Sequence, residues 1–257
     1  MSSPEKLAFL VGLAVFVGGA IGLTLQRILP ETSTTGGPRD MIGAVAGLLT
    51  LLSALVMGLL IWTAYGVYAG QNLAIQTLAA KVLQYDLALA DYGPETRDLR
   101  LEVRQSLANT IEQVWGADRN DKDFTADSFE AAIKSLRNRD DALVKLAPST
   151  DQQKEALATA KATDDAIGQA RLQMSFALTN VVSYPLIMIV VGWAATLFCG
   201  FGLMSKGHVM SLVCVLVGAF AIASAFYLIL DLSSPYSGVF RISSEPLEQV
   251  LAVMGKE

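Results

Sequence analysis

Arg97, Arg100 and Arg104 recur at spacings of three and four, which puts three guanidinium groups on one face of a helix. Such a basic stripe can pair with nearby acids such as Asp86, Asp91 or Glu102, line the entrance of an ion pathway, or simply face water. Asp231 raises a different question. It closes a long apolar run, where a carboxylate meets the negative end of a helix. Three things could balance it: Arg241, brought back by the turn "SSPYSG"; an Asx-type turn with Ser233 or Ser234; or a bound cation. Calcium takes six or more oxygen ligands with several carboxylates, and no acid follows Asp231 before Glu245. A structural role is therefore expected, and no metal site.

Little else could do chemistry. His208 is the only histidine and lies in the short hairpin "SKGHV". Cys199 and Cys214 fall inside apolar runs, as packing groups rather than a disulfide framework. The chain has no phosphate loop, nucleophile elbow, zinc spacing or dinucleotide fingerprint. It reads as a non-enzyme without a cofactor. A net charge of −5 and the lack of a polybasic run speak against nucleic acid as a partner.

The elements that hold these residues follow from the charge pattern. Of the 257 residues 53% are hydrophobic and only 17% charged. No charge lies between Lys6 and Arg27, Asp40 and Lys81, Arg171 and Lys206, or Lys206 and Asp231. Each gap can hold the roughly 20 apolar residues of a membrane span. Four spans are expected, near Leu7–Leu25, Ile42–Ala64, Val181–Leu203 and Val209–Leu230. The first could be a signal peptide, but its length and its Gly18, Gly19 and Gly22 favour a retained helix.

The spans divide the chain into 1–70 (the first two spans), a polar insertion at 71–180, 181–231 (the last two spans) and a tail at 232–257. The insertion holds most of the Lys, Arg, Asp and Glu and is rich in helix formers. A first helix continues out of the second span and stops at "YGPET", where Gly93 caps it and Pro94 and Glu95 open the next, to about Trp115. "GADRNDKDFTADS" is a loop, Ser128–Leu146 a third helix, and a fourth starts at Thr150 and runs towards the third span, with Pro185 as a kink. Lys and Arg near the span ends favour the side of the insertion: Lys6, Lys81, Lys161, Arg171 and Arg241 against Arg27, Arg39 and Lys206. Both termini and the insertion are thus expected in the cytoplasm.

Within the second span Gly43, Gly47, Thr50, Ser53, Ala54 and Met57 form a small, partly polar stripe. Two readings stay open. Thr50, Ser53, Met57, Leu60 and Ile61 line a pore with hydroxyls at one end and an apolar constriction, or Gly43 and Gly47 bring helices close together. No span carries an ionisable residue, which speaks against a proton-coupled transporter but not against a passive channel.

Three stretches resemble the bestrophin-like domain family of bacterial membrane proteins: "GGPRDMIGAVAGLLTLLSALVMGLLI", "LALADYGPETRDLR" and "DLSSPYSGVFRISSEPLEQVL". The resemblance implies an all-α membrane protein in which long helices extend from four spans into a cytoplasmic helical domain. It further implies a homo-oligomer, by likeness a pentamer, of the bacterial plasma membrane. The second span would line a passive pore for chloride or a monovalent cation. The tail, with Asp231, Tyr236, Phe240, Arg241 and Ile242, would fold back on the insertion and strap neighbouring subunits together. The other reading is a membrane-anchored helical sensor or interaction protein without conductance.

Overall fold

The computed structural model describes residues 4–30, 36–116, 142–179, 184–205, 209–236 and 238–254, and among these every regular element is helical. The helices are α1 (Pro4–Ile28), α2 (Gly37–Tyr92), α3 (Arg97–Trp115), α4 (Asp151–Thr179), α5 (Tyr184–Met204), α6 (Val209–Leu232) and α7 (Glu245–Val253). Four of them, α1, α2, α5 and α6, are long and apolar enough to cross a membrane. The expected loop after Gly116, most of the expected helix Ser128–Leu146, and His208 lie outside the described residues. So does the join at 180–183, where α4 was expected to run into the third span. Pro185 occupies the first turn of α5, where its missing N–H breaks no helical hydrogen bond.

The chain forms two compact units, residues 1–66 with 181–233 and residues 67–180 with 234–257. In the first, α1 packs on α5 and α6 through its glycines. A Cβ added at Gly18 would strike the backbone of Ala195, one at Gly22 the backbone of Cys199, and one at Gly19 the side chain of Val215. Gly202 of α5 returns the contact, against the backbone of Gly19 and Leu23. Water expulsion does not drive helices together inside lipid, so this backbone-to-backbone packing supplies the attraction. Val15, Ala194 and Ala219 form the centre of the bundle. The glycines of α2 behave differently: an added Cβ would meet nothing within 4 Å at Gly47, and only the end of the Met204 side chain at Gly43.

In the second unit the lower part of α2 packs with α3, α4 and the tail. Leu78, Tyr85 and Leu89 meet Leu99, Val103, Ala160, Ile242 and Leu247 in one core. The corner after α2 is built as its residues require. Gly93 takes φ +127°, a value that L side chains rarely adopt, and Pro94 then begins a short 3-10 turn. Thr96, fully buried, donates its hydroxyl back to the Leu89 and Gly93 carbonyls at 2.5 and 2.8 Å and so satisfies the open end of α2. The start of α4 is capped by Thr150, whose Oγ1 accepts the Gln153 N–H at 3.1 Å.

Candidate functional site

At 100° per residue, α2 presents two opposite faces. Val45, Leu48, Leu52, Leu55, Leu59 and Trp62, spaced alternately by three and four, form one apolar ridge that the chain leaves open. Leu48 is 59% exposed, Leu55 72% and Trp62 73%. Past the span the ridge continues to Leu73, also exposed. The opposite face is covered: Ala46, Ser53, Leu60 and Ala64 are buried. Of the four spans, that of α2 is the least covered by its own chain.

The five residues of the expected pore stripe all lie on the half of α2 turned away from this ridge. Ser53 and Leu60 are only 9% and 7% exposed, and Met57 and Ile61 are half-buried. Thr50 is exposed and returns its hydroxyl to the Ala46 carbonyl at 2.7 Å. The buried Ser53 hydroxyl has no hydrogen-bond partner among the described residues.

The basic stripe is divided. Arg100 leans back across the Gly93 corner and holds Asp86 in a two-bond fork, Nε to Oδ1 and Nη2 to Oδ2, both 2.9 Å. Asp86 is buried, so the pair neutralises a carboxylate inside the second unit. Arg97 and Arg104 remain exposed.

The tail is fixed by polar contacts that composition alone did not reveal. Tyr236 donates its phenolic hydrogen to Gln71 Oε1 at 2.8 Å, and Gln71 Nε2 donates to the Met174 carbonyl at 3.0 Å. One buried glutamine thus joins α2, α4 and the tail. Burial raises the Tyr236 pKa well above the ordinary phenol value, so the group stays a neutral donor. The indole of Trp115 stands edge-on to Tyr236, centroids 5.9 Å apart, and its Nε1 donates to the Ile242 carbonyl at 2.7 Å. Arg241 reaches the Val114 carbonyl at 3.5 Å.

Phe240 is 47% exposed. The Ile242 N–H bonds back to the Pro235 carbonyl at 3.0 Å, and Ile242 is buried while Val239 and Phe240 remain open. Beyond it, α7 buries Leu247 and Val250. At the end of α6, Asp231 is 1% exposed, with Tyr227 one turn earlier on the same helix. Among the described residues no group of three His, Cys, Asp or Glu could hold a metal ion.

Four apolar helices able to span a bilayer, with a charged helical insertion between the second and third, define a multi-span membrane protein. The chain belongs to the Bestrophin-like domain family, whose pattern matches residues 11–247. Membership points to ion-channel-like function rather than to an enzyme. No curated protein and no solved structure matches the chain.

Proposed function

We propose that the protein is a homo-oligomeric, passive ion channel, a pentamer by likeness to bestrophins, in which the α2 helices of the copies surround the pore. The observation that carries this reading is the open ridge on α2. Apolar residues repeated every 3.5 positions form the seam of helices that supercoil on one another. The ridge runs on to the exposed Leu73, beyond the span expected to end near Ala64, where lipid would not cover it.

A residue that lines a passage between copies has to be open in the single chain. The lining therefore passes from Ser53, Met57, Leu60 and Ile61, which their own chain covers wholly or in part, to the ridge of Leu48, Leu52, Leu55, Leu59 and Trp62, while Thr50 stays exposed on the other half of the helix. A ring of leucines is a constriction that can gate by dewetting. Likeness to the family supports a bacterial plasma-membrane location, and the Lys and Arg bias supports termini and a 71–180 insertion on the cytoplasmic side. In this reading Tyr236 and Ile242 hold the tail on its own chain, the exposed Phe240 contributes to assembly, and Arg97 and Arg104, exposed on α3, face the aqueous side.

Planar-bilayer recording of the purified protein under a potassium chloride gradient tests the proposal. A reproducible current that Leu55→Ser enlarges is expected. Silence from both proteins, correctly inserted and oligomeric, would overturn it and leave the membrane-anchored interaction protein.

A further inference from the structure

Along α2 no charge occurs from Met41 to Ala80, and Lys81 is the first. Its ammonium donates to Gln84 Oε1 at 3.2 Å. Gln84 is exposed and lies on the continuation of the ridge beyond Leu73, so this bond draws the ammonium towards that side. The next acid, Asp86, has both oxygens in the Arg100 fork and is buried on the other side. Asp91 is exposed further on, about 15 Å along the helix, more than the Debye length of about 8 Å at physiological salt. Near the aqueous end of the ridge the fixed charge of α2 is therefore positive.

We propose that Lys81 is a specificity-determining residue: repeated by symmetry, its ammonium groups form a ring at the mouth of the apolar passage that favours small monovalent anions over cations. The inference rests on the channel reading above. The physical cause is accumulation. A ring of like charge in a water-filled vestibule with low-dielectric walls concentrates counter-ions and repels co-ions before either enters the constriction. A neutral apolar passage has no such preference, so the mouth decides.

The test is the reversal potential under a potassium chloride gradient for the wild type, Lys81→Arg, Lys81→Gln and Lys81→Glu, each checked for unchanged oligomer size. The wild type and Lys81→Arg should reverse on the chloride side, Lys81→Gln close to zero, and Lys81→Glu on the potassium side. Raising the salt should shrink these differences. One reversal potential shared by all four conducting proteins would overturn the role of Lys81 and leave the channel standing. Absence of current from the wild type would overturn the channel reading, and this inference with it.

Discussion

Tyr236 and Gln71 are 165 residues apart and share a buried hydrogen bond of 2.8 Å. Gln71 belongs to the helix that emerges from the second span, and Tyr236 to the segment that follows the fourth. Without the tail, the Gln71 carbonyl oxygen would lose its donor inside a packed core. Tyr236→Phe keeps the ring against Trp115 and removes only the hydroxyl. A buried acceptor without its donor costs about 1–3 kcal/mol. Thermal unfolding of the detergent-solubilised protein should show that loss, and an unchanged midpoint would mean that water or a rotated Gln71 replaces the bond.

The same phenol predicts a pH dependence. Its pKa is raised in the folded protein, so the native state holds the proton where the unfolded chain releases it. Its contribution to stability is complete below the unfolded value of about 10 and is lost as the pH rises above it towards the folded value. Lysines titrate in the same range, so the comparison that isolates Tyr236 is wild type against Tyr236→Phe. The wild type should lose stability more steeply with alkaline pH, and parallel curves would contradict the burial argument.

Local signals in the sequence were readable and distant ones were not. "YGPET" announces a corner because Gly and Pro act within a few residues, and Gly93 with Pro94 makes it. Thr150 is recognisable as a cap for the same reason. The three arginines looked like one stripe because spacing fixes only their common face. Their fates differ because Asp86 stands across the corner from Arg100 alone. The orientation of α2 was not legible: its partly polar stripe with Thr50 and Ser53 lies on the half turned away from the open ridge, and small or hydroxyl residues in a span suit helix packing as well as a pore. Gln71 carried no signal, because its partners lie on α4 and in the tail. Phe240 and Ile242 are equally apolar, yet only Ile242 is buried, and the backbone hydrogen bond from its N–H to Pro235 is invisible in composition.

The Arg100–Asp86 fork predicts an asymmetry. Arg100→Leu should be costly, about 3–5 kcal/mol, because it strands a buried carboxylate. Adding Asp86→Leu removes that charge and should restore most of the loss. Denaturation of the two single variants and the double variant measures it. A double variant as unstable as the sum of the singles would mean that the two groups act through other neighbours.

The glycines of α1 predict which small residues the fold requires. Gly22→Ala places a methyl group on the Cys199 backbone, which cannot yield as a flexible side chain does. Overpacking of this kind costs about 1–3 kcal/mol or more, and here it also separates two helices that need close approach. Gly192→Ala is the control, since an added Cβ there meets nothing within 4 Å. Expression yield and monodispersity should fall for Gly22→Ala and hold for Gly192→Ala.

The two faces of α2 give the prediction that separates packing from permeation. Leu60 is buried against its own chain and Leu55 is open. Leu60→Ala leaves a cavity, and large-to-small changes in a core cost about 2–5 kcal/mol. It should lower the unfolding temperature while leaving the conductance of the surviving channels near that of the wild type. Leu55→Ala removes nothing that the single chain buries, so its subunit fold should persist, yet it widens the proposed leucine ring. Single-channel conductance should therefore rise for Leu55→Ala and not for Leu60→Ala. The reverse pattern, conductance following Leu60 and stability following Leu55, would mean that the covered face of α2 is the one that meets the ions.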